Sequence, residues 1–312
     1  MRLRAPVLDD APAVLAVLQA RDLADLGLVD SELGDVLDEW RASDFDLSAD
    51  AVVVEADDGS IVGYAVVLRP GSFAGVAPER EGQGIGAQLL GWTQQRERET
   101  GRECHRQWIG SANLGGRALL RGAGYRLVRS YWRMTRALAG PIDQTPAPEG
   151  VLLRRFDPQR DAVAAHAVDQ ASFAANPDYR PESLEQFREE HLEAHDFDAS
   201  LSYVAERSGQ LVGVLLSRVW TDDAVGFVDI LAVHPDAQRR GVAAALMTRA
   251  FSGYAGAGLR EAQLGVASDN PRAMALYERV GMTAKFRTDV YERPMERPKT
   301  TPQKGPIADG HA

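Results

Sequence analysis

Hydrophobic and polar positions follow the same order twice along this chain of 312 residues. Alternating apolar residues predict strands at residues 51–55 and 61–68 in the first half, and at 202–206 and 211–219 in the second. A short turn with a glycine separates the members of each pair, which predicts two β-hairpins. A glycine-containing junction, a helix with apolar residues at helical spacing and a further strand follow each hairpin. The pattern therefore predicts an α/β fold that is built twice.

Four landmarks support this repeat, because each recurs 157 positions later in the chain. They pair as Pro78 with Pro235, Gly84 with Gly241, Asn113 with Asn270, and Gly124 with Gly281. A constant offset across separate motifs is hard to obtain by chance, and internal repeats of this kind indicate repeated structural units. We expect two copies of one α/β (α+β) fold, each with a mixed, mostly antiparallel central sheet flanked by helices.

The boundaries of the two units follow from composition. Residues 139–150 contain three prolines and two glycines, which is typical of a linker. We therefore expect a first unit at residues 1–138 and a second unit at 151–294. Residues 295–312 are rich in proline and polar side chains, and we expect a disordered tail there.

The junction between strand and helix carries the first candidate chemistry. In the second copy a strand ends at Val233, a turn with Pro235 follows, and the next residues open a helix. Backbone N–H groups at a helix N-terminus attract anions, and small residues let a phosphate approach the backbone. Arg239 and Arg240 add positive charge. The alternative is a simple turn with solvated arginines.

These residues resemble the acetyl-CoA pyrophosphate loop of GNAT N-acetyltransferases, whose pattern is Q/R-x-x-G-x-G/A. The resemblance implies two tandem GNAT-like domains that use acetyl-CoA, with a strand that splays so that its backbone faces the pantetheine arm. It implies that the second copy binds the cofactor through Leu231, Ala232, Val233, Gln238, Arg239, Arg240, Gly241, Val242, Ala243 and Asn270. In the first copy the corresponding residues are Val76, Arg80, Gly82, Gly84, Ile85 and Gly86.

A second motif of this family, N-x-x-A-x-x-L-Y-x-x-x-G-F, fits the second copy from Asn270 to Met282, with methionine in place of the final phenylalanine. Asn270 is a good helix N-cap, and Gly281 suits the left-handed position after a helix. The resemblance implies that Tyr277 donates a proton to the departing CoA thiolate. The alternative is a tyrosine that only packs on an amphipathic helix.

The first copy departs from the family pattern at two positions. Glu81 stands where the second copy has Gln238, and a carboxylate there would repel a pyrophosphate. We expect Arg80 to offset part of this repulsion. Leu120 stands at the tyrosine position and cannot donate a proton. We therefore expect the first unit to be degenerate and the second unit to be catalytic, as in other tandem members of the family.

Acyl transfer to an amine needs a neutral amine, so a base is expected near the thioester. Under strict alternation, Phe227, Asp229, Leu231 and Val233 share one face of their strand, which directs Asp229 toward the cofactor. Asp229 is the candidate base, acting directly or through a water. The alternative is a carboxylate that pairs with an arginine, and a β-bulge would change the facing.

Charge and composition limit the partners. The formal net charge is −10 and both halves are acidic, so a nucleic-acid partner is not expected. The acidic segment 172–198 suits a cationic small-molecule amine, although charged runs often form only a solvated helix face. The histidines do not lie at ligand spacing and there is one cysteine, so we expect no metal site and no disulfide. With no apolar run long enough for a membrane span and no signal core, we expect a cytoplasmic protein with no membrane partner, as a monomer or homodimer.

Two functions remain open. The leading one is an acetyl-CoA-dependent N-acetyltransferase that acts on a small primary amine by direct attack on the thioester. The alternative is a tandem GNAT-like protein that binds or senses acyl-CoA, or another small ligand, without turnover.

Overall fold

The computed structural model describes residues 1–69, 71–176 and 179–295, so the tail expected at 295–312 lies outside the described residues except for Met295. The strands are β1 Arg2–Arg4, β2 Ala51–Glu55, β3 Ile61–Leu68, β4 Gly71–Val76, β5 Cys104–Gly110, β6 Arg126–Ala137, β7 Val151–Arg155, β8 Tyr203–Arg207, β9 Gln210–Trp220, β10 Val225–Val233, β11 Glu261–Ala267 and β12 Thr283–Pro294. The helices are α1 Ala11–Leu26, α2 Leu33–Arg41, α3 Leu47–Asp50, α4 Ile85–Glu99, α5 Leu114–Gly122, α6 Pro158–Phe173, α7 Leu184–Phe187, α8 Val242–Gly256 and α9 Pro271–Arg279. A π-helical turn, Arg188–Leu192, continues α7.

The repeat predicted from the four landmark residues extends to entire helices and strands. Helices α4 and α8, strands β5 and β11, helices α5 and α9, and strands β6 and β12 each begin and end 157 residues apart. The α/β fold class and the mostly antiparallel sheet are confirmed, with parallel pairing in the described residues only between β4 and β5 and between β10 and β11.

The two units do not form separate sheets. Within the described residues, twelve strands form one sheet in the order β1-β2-β3-β4-β5-β12-β6-β11-β10-β9-β8-β7. The last strand of each unit is therefore exchanged. Strand β12 pairs with β5 of the first unit, and β6 of the first unit pairs with β11 of the second. The unit boundaries remain a prediction, but the hydrogen-bonded sheet runs across them.

Helices cover both faces of this sheet. Helices α1 and α2 pack on one side of β2 and β3, and α4 packs on the other. In the second unit, α6 and α7 lie on one side and α8 and α9 on the other. The two units also meet on the α6 side, where His195 Nδ1 lies 2.9 Å from Asp38 Oδ2 and Ser43 Oγ donates to Glu189 at 2.6 Å.

Arg133 fixes the exchanged strand β6 inside the second unit. Its guanidinium is buried, pairs with Asp30 at 2.7 Å, and lies over the rings of Trp220, Phe227 and Phe286 at 4.8–5.3 Å. Such cation–π contacts are strongest where the charge is desolvated.

No helix of the described residues has the length and hydrophobicity needed to span a membrane.

The exchange predicts that neither unit is stable alone. A fragment of residues 151–294 leaves β11 without β6, and leaves β12 without both of its partners. Strand edges exposed in this way present unpaired N–H and C=O groups and favour aggregation. We expect the full chain to unfold in one transition by circular dichroism, and the isolated fragment to show little hydrogen-exchange protection. Two well-separated transitions in the full chain would contradict this expectation.

Candidate active site

Each unit contains a V-shaped opening between two parallel strands. Strand β10 pairs with β11 only over Val225–Val228, and beyond this point β10 follows β9 while β11 follows β6. In the first unit, β4 and β5 pair only at Ser72 and Phe73 before they diverge. The splayed strand that the family resemblance implies is therefore present in both units.

A loop with two left-handed residues stands at each opening. Arg239 and Gly241 have φ values of 60° and 91°, and Gly82 and Gly84 have 74° and 83°. Left-handed residues between ordinary ones turn successive N–H groups toward one concave side, which binds anions. A Cβ on Gly241 would meet no atom within 4 Å, so that side is open. A non-glycine residue such as Arg239 in this conformation costs about 1–3 kcal/mol, and such strain concentrates at functional sites.

The two loops are tied to their strands by different side chains. Gln238 Nε2 donates to the carbonyl of Val233 at 3.0 Å. Glu81 cannot donate, and in the first unit Arg21 of α1 reaches the carbonyl of Val76 at 3.4 Å and forms an ion pair with Glu81. The cation paired with Glu81 is thus Arg21 of another helix, and the partial compensation expected from Arg80 stays a prediction.

In the first unit, the predicted residues surround one cavity of about 370 Å³. It is lined by all six of them, Val76, Arg80, Gly82, Gly84, Ile85 and Gly86. Gln107 also lines it, and its Oε1 is buried without a hydrogen-bond partner. An unsatisfied buried polar atom beside a cavity favours a ligand there, since such atoms are costly when unpaired.

In the second unit, a cavity of about 770 Å³ lies beside the loop. Arg239 and Gly241 line it, together with Arg136 and Arg279, which were not predicted. Arg279 closes α9 two residues after Tyr277, so its spacing could have indicated it. Arg136 belongs to the exchanged strand β6 of the first unit, and only the fold brings it here.

The other predicted cofactor residues of the second unit lie at the loop and strand end, but their side chains differ in exposure. Ala232 and Val242 are 0% and 2% exposed, so only their backbone could meet a ligand. Leu231 and Ala243 are half-buried, and Arg240 is exposed.

Helix α9 has the predicted caps. Asn270 Oδ1 accepts from the N–H of Ala273 at 3.1 Å, and Gly281 has φ 85°. Tyr277 is 9% exposed, and its hydroxyl forms no hydrogen bond with any described residue. Burial raises the pKa of Tyr277 to about 12, so the phenol keeps its proton at neutral pH. Leu120, its counterpart in the first unit, is buried.

Arg136 also holds α9 in place. It donates to the carbonyl of Val280 at the end of the helix, and its guanidinium lies 5.2 Å from the ring centre of Phe251 on α8. A cation at a helix C-terminus is favourable because the free carbonyls there carry partial negative charge. The first unit therefore supplies a residue that positions the helix bearing Tyr277.

Strict alternation along β10 is wrong, because the strand has a β-bulge at Asp229. Asp229 and Ile230 therefore both face α6 and α7, whereas Leu231 and Val233 pack on the α8 side. A bulge places two successive side chains on one face, and a hydrophobicity pattern cannot reveal it.

Asp229 is held by two cations. His191 Nδ1 lies 2.7 Å from its Oδ2, and Arg218 Nε lies 3.2 Å from its Oδ1. Burial opposes the charge of Asp229, but these cations outweigh burial and lower its pKa. Burial opposes the charge of His191 as well, yet Asp229 and neighbouring carboxylates raise its pKa to about 9. The arginine pair considered as the alternative for Asp229 is present.

The acidic segment 172–198 divides into different roles. Asp198 caps a short turn, and Asp196 pairs with Arg218 at 3.3 Å. Glu182 Oε1 lies 3.8 Å from His191 Nε2. Part of this charge therefore holds local structure, and part surrounds Asp229.

The splayed strands, the anion loop and helix α9 are features of the GNAT acyltransferase fold, and comparisons with known proteins agree. The family described as Acetyltransferase (GNAT) matches residues 166–282. The mycothiol acetyltransferase of Streptomyces griseus is 32% identical over 238 residues, which cover 72% of this chain and 74% of that protein. The corresponding protein of Streptomyces bingchenggensis is 33% identical, with 78% and 80% covered.

Solved structures show the same architecture. A GCN5-related N-acetyltransferase from Sphaerobacter thermophilus superposes with a TM-score of 0.78 at 28% identity, covering 94% of this chain and 95% of that one. A tandem GNAT protein from the clavulanic acid biosynthesis pathway superposes with a TM-score of 0.73 at 15% identity, covering 94% and 98%, and supports the fold alone. The chain belongs to the GNAT family and is an N-acetyltransferase.

Arg21 yields a prediction about stability. It is the cation of a buried pair with Asp25 at 2.8 Å, and it also neutralises Glu81. Arg21→Leu leaves the buried carboxylate of Asp25 without its cation and with only the hydrogen bond from Asn113 at 3.0 Å, and we expect a loss of about 3–5 kcal/mol in urea unfolding. Burial already raises the pKa of Asp25, so the loss should grow as pH rises and the carboxylate form dominates.

The matched control is Arg2→Leu, which removes a surface ion pair whose arginine is 69% exposed. We expect a loss of about 1 kcal/mol or less there. Equal losses in the two variants would show that the Arg21 pair has no special weight.

Proposed function

We propose that this protein transfers an acetyl group from acetyl-CoA to a small primary amine, and that the second unit carries out the chemistry. The observation that carries the proposal is the placement of Tyr277, a buried phenol with an unused hydroxyl, where the first unit has Leu120. Both units share the fold and the loop, so the chemical difference lies in these side chains.

The residues beside the second loop fit the phosphates of acetyl-CoA. Arg136, Arg239 and Arg279 place three cations around one cavity, next to the left-handed loop. Arginine suits phosphate because its planar fork donates several hydrogen bonds at once. The backbone of Leu231 and Val233, beyond the point where β10 leaves β11, is the proposed site for the pantetheine arm.

The proposed chemistry needs one donor and one acceptor of protons. Acetyl-CoA supplies the thioester carbonyl that the amine attacks. Tyr277 donates a hydrogen bond to the departing thiolate and passes on the proton that the new amide loses. Asp229 assists deprotonation of the incoming ammonium by adding negative charge on the α6 side, while its low pKa makes it a weak direct base at neutral pH.

The acceptor is proposed to enter on the α6 side. A cavity of about 780 Å³ lies between the units there and is lined by Trp108, Tyr131, Phe173 and Tyr179, among others. The acidic groups around His191 suit a cationic amine, and they lie outside the lining of this cavity, which contains five arginines and four acidic residues. Because the relatives are named mycothiol acetyltransferases, their acceptor is the first compound to test, and an aminoglycoside-type amine is the second.

A binding role without turnover is a second candidate, and it applies best to the first unit. Its cavity of about 370 Å³ is lined by the glycine loop and by Gln107, whose Oε1 is unsatisfied. Arg21 cancels the charge of Glu81, which removes one obstacle to an acyl-CoA there. CoA release with a panel of amines separates the two functions, since tight CoA binding without release in any reaction favours binding alone.

Tyr277→Phe tests the proposed acid. We expect kcat to fall about 100-fold with little change in the KM for acetyl-CoA, because only the proton donor is lost. The unfolding temperature should stay the same, since the hydroxyl bonds to no described residue. The control is Glu278→Gln, an exposed neighbour on the same helix, which should leave kcat unchanged. An unchanged kcat in Tyr277→Phe across pH 6–9 would remove the acid from the mechanism.

Gln238→Glu tests the pyrophosphate loop. Burial matches Ala11, Val14 and Val17 with Ala162, Ala165 and Val168, which puts Ser172 in the place of Arg21. A carboxylate at position 238 would therefore lack the ion pair that Arg21 forms with Glu81. We expect the Kd for acetyl-CoA in calorimetry to rise at least about tenfold through charge repulsion.

Gln238→Leu is the matched control, because it removes the hydrogen bond to Val233 without adding charge. It should raise the Kd much less than Gln238→Glu. An equal rise in the two variants would mean that the loop does not face a phosphate.

A further inference from the structure

Asp169 stands apart from the other carboxylates near His191. It lies on the inner face of α6, one turn before Ser172, whose Oγ accepts from the N–H of Val233 at 3.4 Å. Val233 ends the splayed part of β10, so α6 carries Asp169 next to the opening where the thioester is proposed to lie. Asp169 is only 5% exposed.

Two of the neighbouring carboxylates lie close to cations. Asp229 binds His191 and Arg218, and Glu182 Oε1 lies 3.8 Å from the other nitrogen of His191. The backbone carbonyl of Glu190 accepts from Arg218 at 2.7 Å, whereas the carboxylate of Glu190 is exposed and pairs with no described residue. Asp169 is buried, and it forms no hydrogen bond or ion pair with any residue in the ranges 1–69, 71–176 and 179–295.

We propose that Asp169 is the base that removes the proton from the ammonium group of the acceptor. This rests on the proposed function and names the group that performs its first step. A carboxylate with 5% exposure and no bound cation is costly, and perturbed groups of this kind cluster at functional sites. The oxygens of Asp169 are not among the fully enclosed unpaired atoms, so an ammonium group can reach them. The α6-side cavity comes near Asp169 at Tyr179, although Asp169 is not part of its lining: Tyr179 lines the cavity, and burial and the nearby charge of Asp169 both raise the pKa of its hydroxyl.

The environment gives Asp169 a suitable basicity. Burial raises its pKa to about 7, while His191 lowers it and Glu182, Asp229 and Glu190 raise it. A base whose pKa lies near the working pH is both ionised and strong enough to take a proton. Asp229 contributes here by holding His191 and Arg218, and not by taking the proton itself.

The step is balanced as follows. An N–H bond of the ammonium breaks, an O–H bond forms on the Asp169 carboxylate, and the freed lone pair attacks the thioester carbon. The C–S bond then breaks, and its electron pair leaves on sulfur. The second proton of the nitrogen passes to the thiolate with the help of Tyr277, and Asp169 returns its proton to water.

The test is the pH dependence of kcat/KM for Asp169→Asn in the full chain. With a strongly basic amine at pH 7, we expect a loss of about 100-fold and the disappearance of the fall in rate below about pH 7. With a weakly basic amine that is already neutral, the loss should be several-fold smaller. Asp169→Glu should keep part of the rate and the acidic fall, and Glu185→Gln, an exposed acid on α7, should match the wild type.

The dependence of stability on pH shows whether the Asp169→Asn variant is folded. The folded chain holds the proton of Asp169 up to about pH 7, whereas an unfolded chain loses it near the ordinary value of 3.8. The stability of the wild type should therefore fall as pH rises across this window. Asp169→Asn removes that fall, so it should be at least as stable as the wild type at pH 8.

Two results would overturn the assignment. One is an acidic fall in rate that survives in Asp169→Asn, and the other is an equal loss with basic and neutral amines. No CoA release by the wild type with any amine would instead overturn the proposed function itself. These outcomes are distinguishable because the first two require turnover by the wild type.

Discussion

The exchange of the last strands between the two units is the constraint on which the rest of the structure depends. Strand β12 completes the sheet of the first unit, and β6 completes that of the second. Each diverging strand, β5 or β11, pairs on its far side with the last strand of the partner unit, so the partner unit borders both openings. The exchange also delivers Arg133 and Arg136 of β6 into the second unit, where they bind its aromatic core and the end of α9.

The two units share one backbone fold, and a few side chains make their chemistry different. In the first unit a buried arginine, Arg21, ties the loop to its strand and cancels Glu81. In the second unit the uncharged side chain of Gln238 forms the hydrogen bond between loop and strand, and Ser172 lies near the strand end. This leaves the second loop with the net positive charge of its own arginines. Divergence between the units is therefore mainly electrostatic and does not require a change of fold.

Much of the fold could be predicted from the sequence, because local patterns determine it. Strands β2 and β3 have the predicted bounds, the offset of 157 holds for whole elements, and Asn270 caps its helix as expected. The exchange could not be predicted, since β6 and β12 occupy equivalent places in the repeat and either pairing satisfies the pattern. The bulge at Asp229 and the pairing of Arg21 with Glu81 were also hidden, because they depend on contacts between distant segments.

In the second unit, positively and negatively charged side chains gather on opposite faces of the sheet. On the α8 side of the second unit, Arg136, Arg239 and Arg279 surround a cavity suited to phosphates. On the α6 side, carboxylates surround His191 and leave Asp169 without a cation of its own. In the proposed reaction, an anionic cofactor and a cationic amine would approach from opposite faces and meet where β10 and β11 diverge. Because the sheet separates the two charged regions, the proposed base Asp169 on α6 and the proposed acid Tyr277 on α9 lie on opposite faces of the sheet.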